Sequence, residues 1–153
     1  MIMKKLMLVL AFFTIYNGLK SQDSHSQSHD NQVAVKNAIL DYVEGLYEVD
    51  PSRIQNSVHM ELRKRGYWYD QEIKDYRDNV DMTYQQLYDL SSKWNKDGKG
   101  ANAESPKRID IFDVTDKTAS AKLTAEWGID YFHLVKLEGK WVIMNVMWQS
   151  HPK

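Results

Sequence analysis

From Arg108 to Trp148 the apolar residues fall into four short runs separated by turn-forming residues. The clearest run is Ala119 to Trp127. Ala119, Ala121, Leu123, Ala125 and Trp127 share one parity, and Ser120, Lys122, Thr124 and Glu126 the other. A period of two sends successive side chains to opposite faces, the mark of a half-buried antiparallel strand. Arg108 to Val114 precedes this run, with Asp116-Lys117 as the turn. Gly128 supplies the bend into a third strand, Tyr131 to Leu137, and Glu138-Gly139-Lys140 turns the chain into a fourth, Trp141 to Trp148.

Upstream the period changes to that of a helix. Val35, Ala38, Ile39, Tyr42, Leu46 and Val49 recur at three and four residues, which predicts a first helix from about Val33 to Glu48, capped by Asp30 or Asn31. Asp50-Pro51 opens a short second helix to about Ser57, with Asp as N-cap, Pro at the first helical position, and Ile54 and Val58 inward. His59 to Tyr69 reads as extended and contains the aromatic cluster Gly66-Tyr67-Trp68-Tyr69. Glu72 to Asp81 is polar, a loop or a weak edge strand around Ile73 and Tyr76. Thr83 with Gln86 three residues on forms a capping box for a third helix, whose inward stripe is Tyr84, Leu87, Tyr88, Ser91 and Trp94. Asn95 to Asn102 follows as a flexible loop. Helices first and a run of antiparallel strands afterwards indicate an α+β fold, with about three N-terminal helices packed on one face of the sheet.

The first residues do not fit this domain. Lys4 and Lys5 precede an apolar run, Leu6 to Tyr16, which is too short to span a bilayer as a helix and has the order of a secretory signal peptide. Cleavage is expected after Ser21 or Gln22, although Leu19 is a poor match to a small residue; an uncleaved membrane anchor is the competing reading. The expected address is therefore the periplasm or the outside of the cell. Lipidation at the cleavage point needs a cysteine, and the chain has none. Residues 23–32 are polar, rich in Ser, His, Gln and Asp, and read as a disordered linker. His25 and His29 lie in it; their spacing of four would hold a metal only on a helix, so they read as linker histidines.

The 153 residues suffice for one domain, expected over 33–150, with a proper core. Loss of the segment carrying Lys4, Lys5 and Lys20 leaves 17 basic against 21 acidic residues, a charge of −4. That balance gives no electrostatic case for nucleic acid. The triplet Arg63-Lys64-Arg65 and the pair Lys107-Arg108 accordingly read as solvated surface.

Several stretches together resemble a known family. They are Tyr42-Val43-Glu44-Gly45-Leu46-Tyr47 on the first helix, His59 after the second, Asp130-Tyr131-Phe132-His133-Leu134 with Lys136, and Gly139-Lys140-Trp141-Val142-Ile143-Met144-Asn145-Val146-Met147-Trp148. From Val33 to Gln149 the chain resembles the nuclear-transport-factor-2-like (SnoaL-like) superfamily, and within it the bacterial family named putative lumazine-binding. The resemblance implies a curved sheet wrapped around helices to enclose a conical pocket, and a homodimer. The family's name does not settle the ligand, because fold alone does not imply function.

Candidate chemistry is scattered. His59 offers an imidazole near the mouth expected of such a cone, as an acid, a base or a hydrogen-bond donor; a partly buried structural histidine is the commoner outcome. Asp130, beside Trp127, Tyr131 and His133, could act as a base with a raised pKa, or as a turn residue accepting backbone N–H bonds, the reading the sequence favours. The aromatic supply for a ring-binding pocket is Tyr42, Trp68, Tyr84, Tyr88, Trp127, Tyr131, Trp141 and Trp148; the first six are the candidates to line it, joined by His133 and by Asn145, an amide in an otherwise apolar strand. No cofactor or metal is expected, since HExxH, Walker, GxGxxG, Gly-x-Ser-x-Gly and cysteine-based motifs are all missing from the sequence. Three readings remain: a non-catalytic carrier of a small apolar or aromatic molecule, an enzyme of the ketosteroid-isomerase type using His59 and Asp130, and a dimeric interaction module. The discriminator is whether His59 and Asp130 meet in one cavity.

Overall fold

The structure is a computed structural model and describes residues 26–78 and 80–151. The signal-peptide expectation and residues 23–25 lie outside the described residues. Helix α1 covers residues 26–47, so residues 26–32, expected as linker, are helical. The reason is Asn31, which is buried and whose Oδ1 accepts from Lys136 Nζ at 2.8 Å and from Trp141 Nε1 at 3.3 Å. A residue that reads as solvent-facing thus ties the first turns of α1 to the sheet. His29 sits on the exposed side of this helix.

Val35, Ala38, Ile39, Tyr42, Val43 and Leu46 form the buried stripe of α1. Val49 does not continue it. The helix ends at residue 47, the Asp50 N–H closes onto the Gly45 carbonyl at 2.9 Å, and Val49 takes the left-handed position with φ 59°. Helix α2, Pro51–Ser57, starts as expected, with the Asp50 side chain accepting from the Ser52 N–H. It runs straight into β1, Val58–Asp70, which a turn at residues 71–74 links to the short edge strand β2, Asp75–Arg77. Helix α3, Tyr84–Ser91, carries the full Thr83–Gln86 capping box.

Strands β3 (Arg108–Val114), β4 (Thr118–Ala125), β5 (Gly128–Leu137) and β6 (Lys140–Ser150) form the antiparallel meander read from the sequence. Glu138 and Gly139 both have positive φ, which suits the two-residue turn between β5 and β6. The spatial order is β2-β1-β6-β5-β4-β3. The sheet is mixed rather than antiparallel throughout, because β1 lies parallel to β6. A helical N-terminal region feeding β1 into the sheet beside the last strand brings residues some 80 positions apart into register, such as Gly66 with Trp148.

Parity decides what each strand residue does. Ala119, Ala121, Leu123 and Ala125 of β4, Asp130, Phe132 and Leu134 of β5, and Leu62, Lys64 and Gly66 of β1 face the helices. On β6 the inward parity changes. Register slips between His133 and Leu134, leaving Met144 as the extra residue. Trp141 and Ile143 point inward before the bulge; Val146, Trp148 and Ser150 do so after it. The hydrophobic core is sealed between this face and α1, where each fully buried Leu, Ile or Phe contributes roughly 1.5–3 kcal/mol.

Candidate functional site

One inner row of the sheet runs Gly66, Trp148, Asp130, Leu123, Ile109 across β1, β6, β5, β4 and β3. Beside it lies the row of Lys64, Val146 and Phe132. The long Lys64 side chain reaches diagonally over β6, and its Nζ lies 3.0 Å from Asp130 Oδ1. The same Nζ donates to the Tyr42 hydroxyl on α1 at 2.8 Å. It sits 5.2 Å from the centroid of the Trp148 indole and 5.5 Å from that of Tyr42, within cation–π range of both. The other oxygen of Asp130 accepts from Trp127 Nε1 at 3.0 Å.

This network is dry. The Lys64 side chain is 7% exposed and that of Asp130 0%. Burial lowers the pKa of Lys64, and the opposing pull of Asp130 does not fully offset it. Burial also drives the Tyr42 phenol well above its ordinary value, with the Asp130 carboxylate adding to the shift. The arrangement is therefore a neutral tyrosine, a paired lysine and a carboxylate whose two oxygens are both engaged.

Over the network opens a pocket of about 120 Å³. Its lining is Tyr42 and Leu46 from α1, Lys64 and Trp68 from β1, Met82, Leu87 and Leu90 from the α3 region, then Trp94, Trp127 and Trp148. A single buried charge thus stands among five aromatic rings and aliphatic side chains. Trp127, just past β4, is the hub: its ring meets Tyr42 at 6.2 Å, Tyr47 at 5.6 Å and Trp94 at 5.3 Å, each edge-on. Tyr47 is itself fixed by donating to the Pro106 carbonyl and accepting from the Glu126 N–H, and burial pushes its pKa to about 12. Asn95 accepts from the N–H groups of Gly100 and Ala101 and donates to the Tyr47 carbonyl, which organises the loop expected to be flexible. At the rim, residues 80–82 pair with β1 through Val80, Met82, Lys64 and Gly66, and Trp68 is half exposed.

Of the rings named from the sequence, Tyr42, Trp68, Trp127 and Trp148 line this pocket, and Trp141 is buried in the core. Tyr84 and Tyr88 pack half-buried against the core, outside the lining. Tyr131, His133 and Asn145 face the opposite side of the sheet, all exposed. There they join Arg63, Arg65 and Met147 around a larger surface hollow of about 540 Å³. The outer position of Asn145 follows from the Met144 bulge, which reverses its parity. His59 lies outside the pocket, where its Nδ1 accepts from the Glu61 N–H at 3.1 Å. Asp130 is not a turn residue; it lies inside β5, behind Lys64 and outside the lining. The structure does not bring His59 and Asp130 together in one cavity. Reading the triplet Arg63-Lys64-Arg65 as surface holds for its outer members and fails for Lys64. The signal for Lys64 was parity: it shares a face with Leu62, and Asp130 shares one with Phe132 and Leu134, so two opposite charges stand at apolar positions.

A bent, unclosed sheet wrapping three helices around an aromatic pocket is the nuclear-transport-factor-2-like fold. The protein is similar to an NTF2-like protein with a cystatin-like fold from Novosphingobium aromaticivorans (TM-score 0.61, 8% identity, covering 86% of this chain and 89% of that one). It is also similar to an NTF2-like protein of unknown function from Silicibacter pomeroyi (TM-score 0.58, 14% identity, 80% and 98%). A third similar structure bears the name putative scytalone dehydratase, from N. aromaticivorans (TM-score 0.55, 10% identity, 84% and 89%). At these identities the likeness carries the fold alone. Residues 30–149 match the family described as "Putative lumazine-binding", and the chain belongs to that family. No curated protein matches the sequence.

Proposed function

We propose that this protein is an exported carrier that holds one small planar molecule in the pocket over Lys64, without transforming it. The observation that carries this reading is the pocket wall: five rings and Lys64, whose buried partner Asp130 lies behind it and already accepts from Lys64 and Trp127. Rings supply stacking area, and a few fixed polar groups set orientation. A carboxylate with both oxygens engaged is poorly placed to abstract a proton, and the imidazole of His59 is elsewhere. A cavity of about 120 Å³ is close to the roughly 150 Å³ that admits a benzene ring, and the half-exposed Trp68 rim leaves room for a second fused ring. The family's description suggests lumazine, a planar pteridinedione, as the first probe. Export is supported by the Lys4-Lys5 pair and the apolar run after it.

The test is calorimetric titration of the purified protein with lumazine, beside native mass spectrometry of protein taken from its own host. Saturable one-to-one binding that quenches tryptophan fluorescence, or a co-purified small aromatic, supports the carrier. No bound molecule and no lumazine binding overturn it. A homodimer belongs to the same proposal, supported by Phe112, Tyr131 and Met147, which expose large apolar area on the outer face of β3, β5 and β6. Sedimentation equilibrium showing a monomer at every concentration would remove that part.

A further inference from the structure

A cavity of about 120 Å³ takes a fused bicycle only if its rim widens, since one benzene ring needs roughly 150 Å³. Most of the wall cannot give. Tyr42, Leu46 and Leu87 belong to the sealed core, and Lys64 is held by Tyr42 and Asp130. Met82 is different. It is only partly buried, and it stands on a short strap, residues 80–82, laid against the edge of β1. Strand β2 covers that edge only at Trp68, Tyr69 and Asp70, and among the described residues the strap alone covers it at Lys64 and Gly66.

Three backbone hydrogen bonds hold the strap. Lys64 and Met82 exchange both of theirs, at 3.2 and 2.7 Å, and the Val80 N–H donates to the Gly66 carbonyl at 3.1 Å. Cross-strand partners share a face, so Met82 lies on the inner face beside Lys64, and Asp81 lies on the outer face beside Arg65. There the Arg65 guanidinium donates to both oxygens of Asp81, at 2.8 and 3.2 Å, with both side chains more than half exposed. The strap then enters α3 at the Thr83 cap, and α3 supplies Leu87 and Leu90 to the same pocket. A segment with few buried contacts and exposed backbone hydrogen bonds opens locally at low free-energy cost. Resting on the carrier reading, we infer that residues 80–82 are a movable wall of the pocket: the strap lifts off β1 to pass the ligand, and the Arg65–Asp81 pair is the latch that times its entry and exit. Met82 faces the ligand from inside, and the latch acts from outside without touching it.

The experiment locks the latch. The chain has no cysteine, so an introduced pair has no competing thiol. Lys64 and Met82 are a hydrogen-bonded pair, which makes Arg65 and Asp81 the adjacent non-hydrogen-bonded one. Cα atoms of such a pair lie roughly 4.5 Å apart, within the roughly 4.4–6.8 Å that a disulfide spans. In Arg65→Cys/Asp81→Cys the oxidised form ties the strap down and the reduced form frees it. Stopped-flow quenching of tryptophan fluorescence by lumazine gives the rates of association and release. Both should fall at least about fivefold in the oxidised protein and recover on reduction. Arg65→Met tests the latch without a crosslink. Both rates should rise about two- to fivefold over the wild type; salt at about 0.5 M should speed the wild type similarly and leave Arg65→Met unchanged. Amide exchange without ligand should be faster at Val80 and Met82 than at the central residues of β5, and faster again in Arg65→Met. Equal lumazine rates in the oxidised and reduced forms overturn the movable wall and leave the carrier intact, as do wild-type strap amides that exchange no faster than those of β5. Wild-type protein that binds no lumazine overturns the carrier reading and the inference with it.

Discussion

Arg63, Lys64 and Arg65 are consecutive cations on one strand and live in two environments. Arg65 points outward and pairs with Asp81 at 2.8 Å, both side chains more than half exposed. Lys64 points inward and pairs with Asp130 at 3.0 Å in a wall that water barely reaches. The two ion pairs have nearly the same length and differ in consequence. In water-like surroundings the attraction is weak and screened, and a lost partner is replaced by solvent. In the interior the attraction is stronger, and a lost partner leaves a charge that nothing else stabilises. The same contrast holds for the two faces as wholes. The outer face collects Tyr131, His133, Asn145 and two arginines around a broad solvated hollow, and the inner face collects rings around one ion pair.

The sharpest way to break this comparison is to remove each cation in turn. Lys64→Met should lose about 3–5 kcal/mol of unfolding free energy in urea, because Asp130 is left buried and unpaired. The double variant Lys64→Met/Asp130→Leu should recover most of that loss. Arg65→Met should be indistinguishable from the wild type in the same assay. An Arg65→Met loss as large as that of Lys64→Met would mean that the inner pair is not special.

The next effect in size is steric. Gly66→Ala places a methyl group where the Trp148 carbonyl and indole already lie. The strands β1 and β6 must separate or the indole must shift, at about 1–3 kcal/mol. The variant should lose lumazine affinity along with stability, which circular-dichroism melting and calorimetry would show together. Retained affinity would place the ligand away from Trp148.

A third effect reports on how dry the inner face is. The Tyr47 phenol, with an ordinary value of 10, is pushed by burial to about 12, and Tyr42 is raised as well. Above pH 10 the unfolded chain releases these protons more readily than the folded one. The stability the neutral phenols contribute is complete below pH 10 and is lost as pH climbs toward 12. Tyr47→Phe should show a shallower alkaline decline than the wild type, after a loss of about 1–2 kcal/mol at neutral pH from the unmatched Glu126 N–H and Pro106 carbonyl. Equal slopes for the two proteins would mean that Tyr47 is open to solvent.

Local patterns carried most of the fold. The alternation of β4, the Asp50-Pro51 start of α2, the Thr83–Gln86 box and the Glu138-Gly139 turn all rest on contacts within a few residues, and all are where the sequence put them. Long-range features were not legible. The parallel pairing of β1 with β6 joins segments about 80 residues apart, and no local period encodes a partner. The burial of Asn31 depends on Lys136 and Trp141, so a polar stretch that looked like linker is helix. Counting parity from Trp141 puts Asn145 inward and Trp148 outward; the Met144 bulge reverses both. The pocket was half legible for the same reason. Tyr42 belongs to a regular helical stripe, whereas Lys64 is hidden in a charge run and the face of Trp148, a ring the sequence offers, is set by a bulge.

The smallest expected effects test that reversal directly. Tyr131→Ala and Asn145→Ala both change residues that the sequence offered for the pocket and that the fold places on the outer face. Neither touches the rings around Lys64. Tyr131 does meet Phe112, at 6.4 Å between centroids, so its loss trims an exposed apolar pair rather than the core. Surface changes of this kind stay within about 0.5 kcal/mol. Lumazine affinity measured by calorimetry should therefore equal that of the wild type in both variants, while Tyr131→Ala should weaken any self-association seen by sedimentation. A clear affinity loss in Asn145→Ala would move the binding site to the hollow on the outer face, and the parity set by the Met144 bulge would no longer decide which residues the ligand meets.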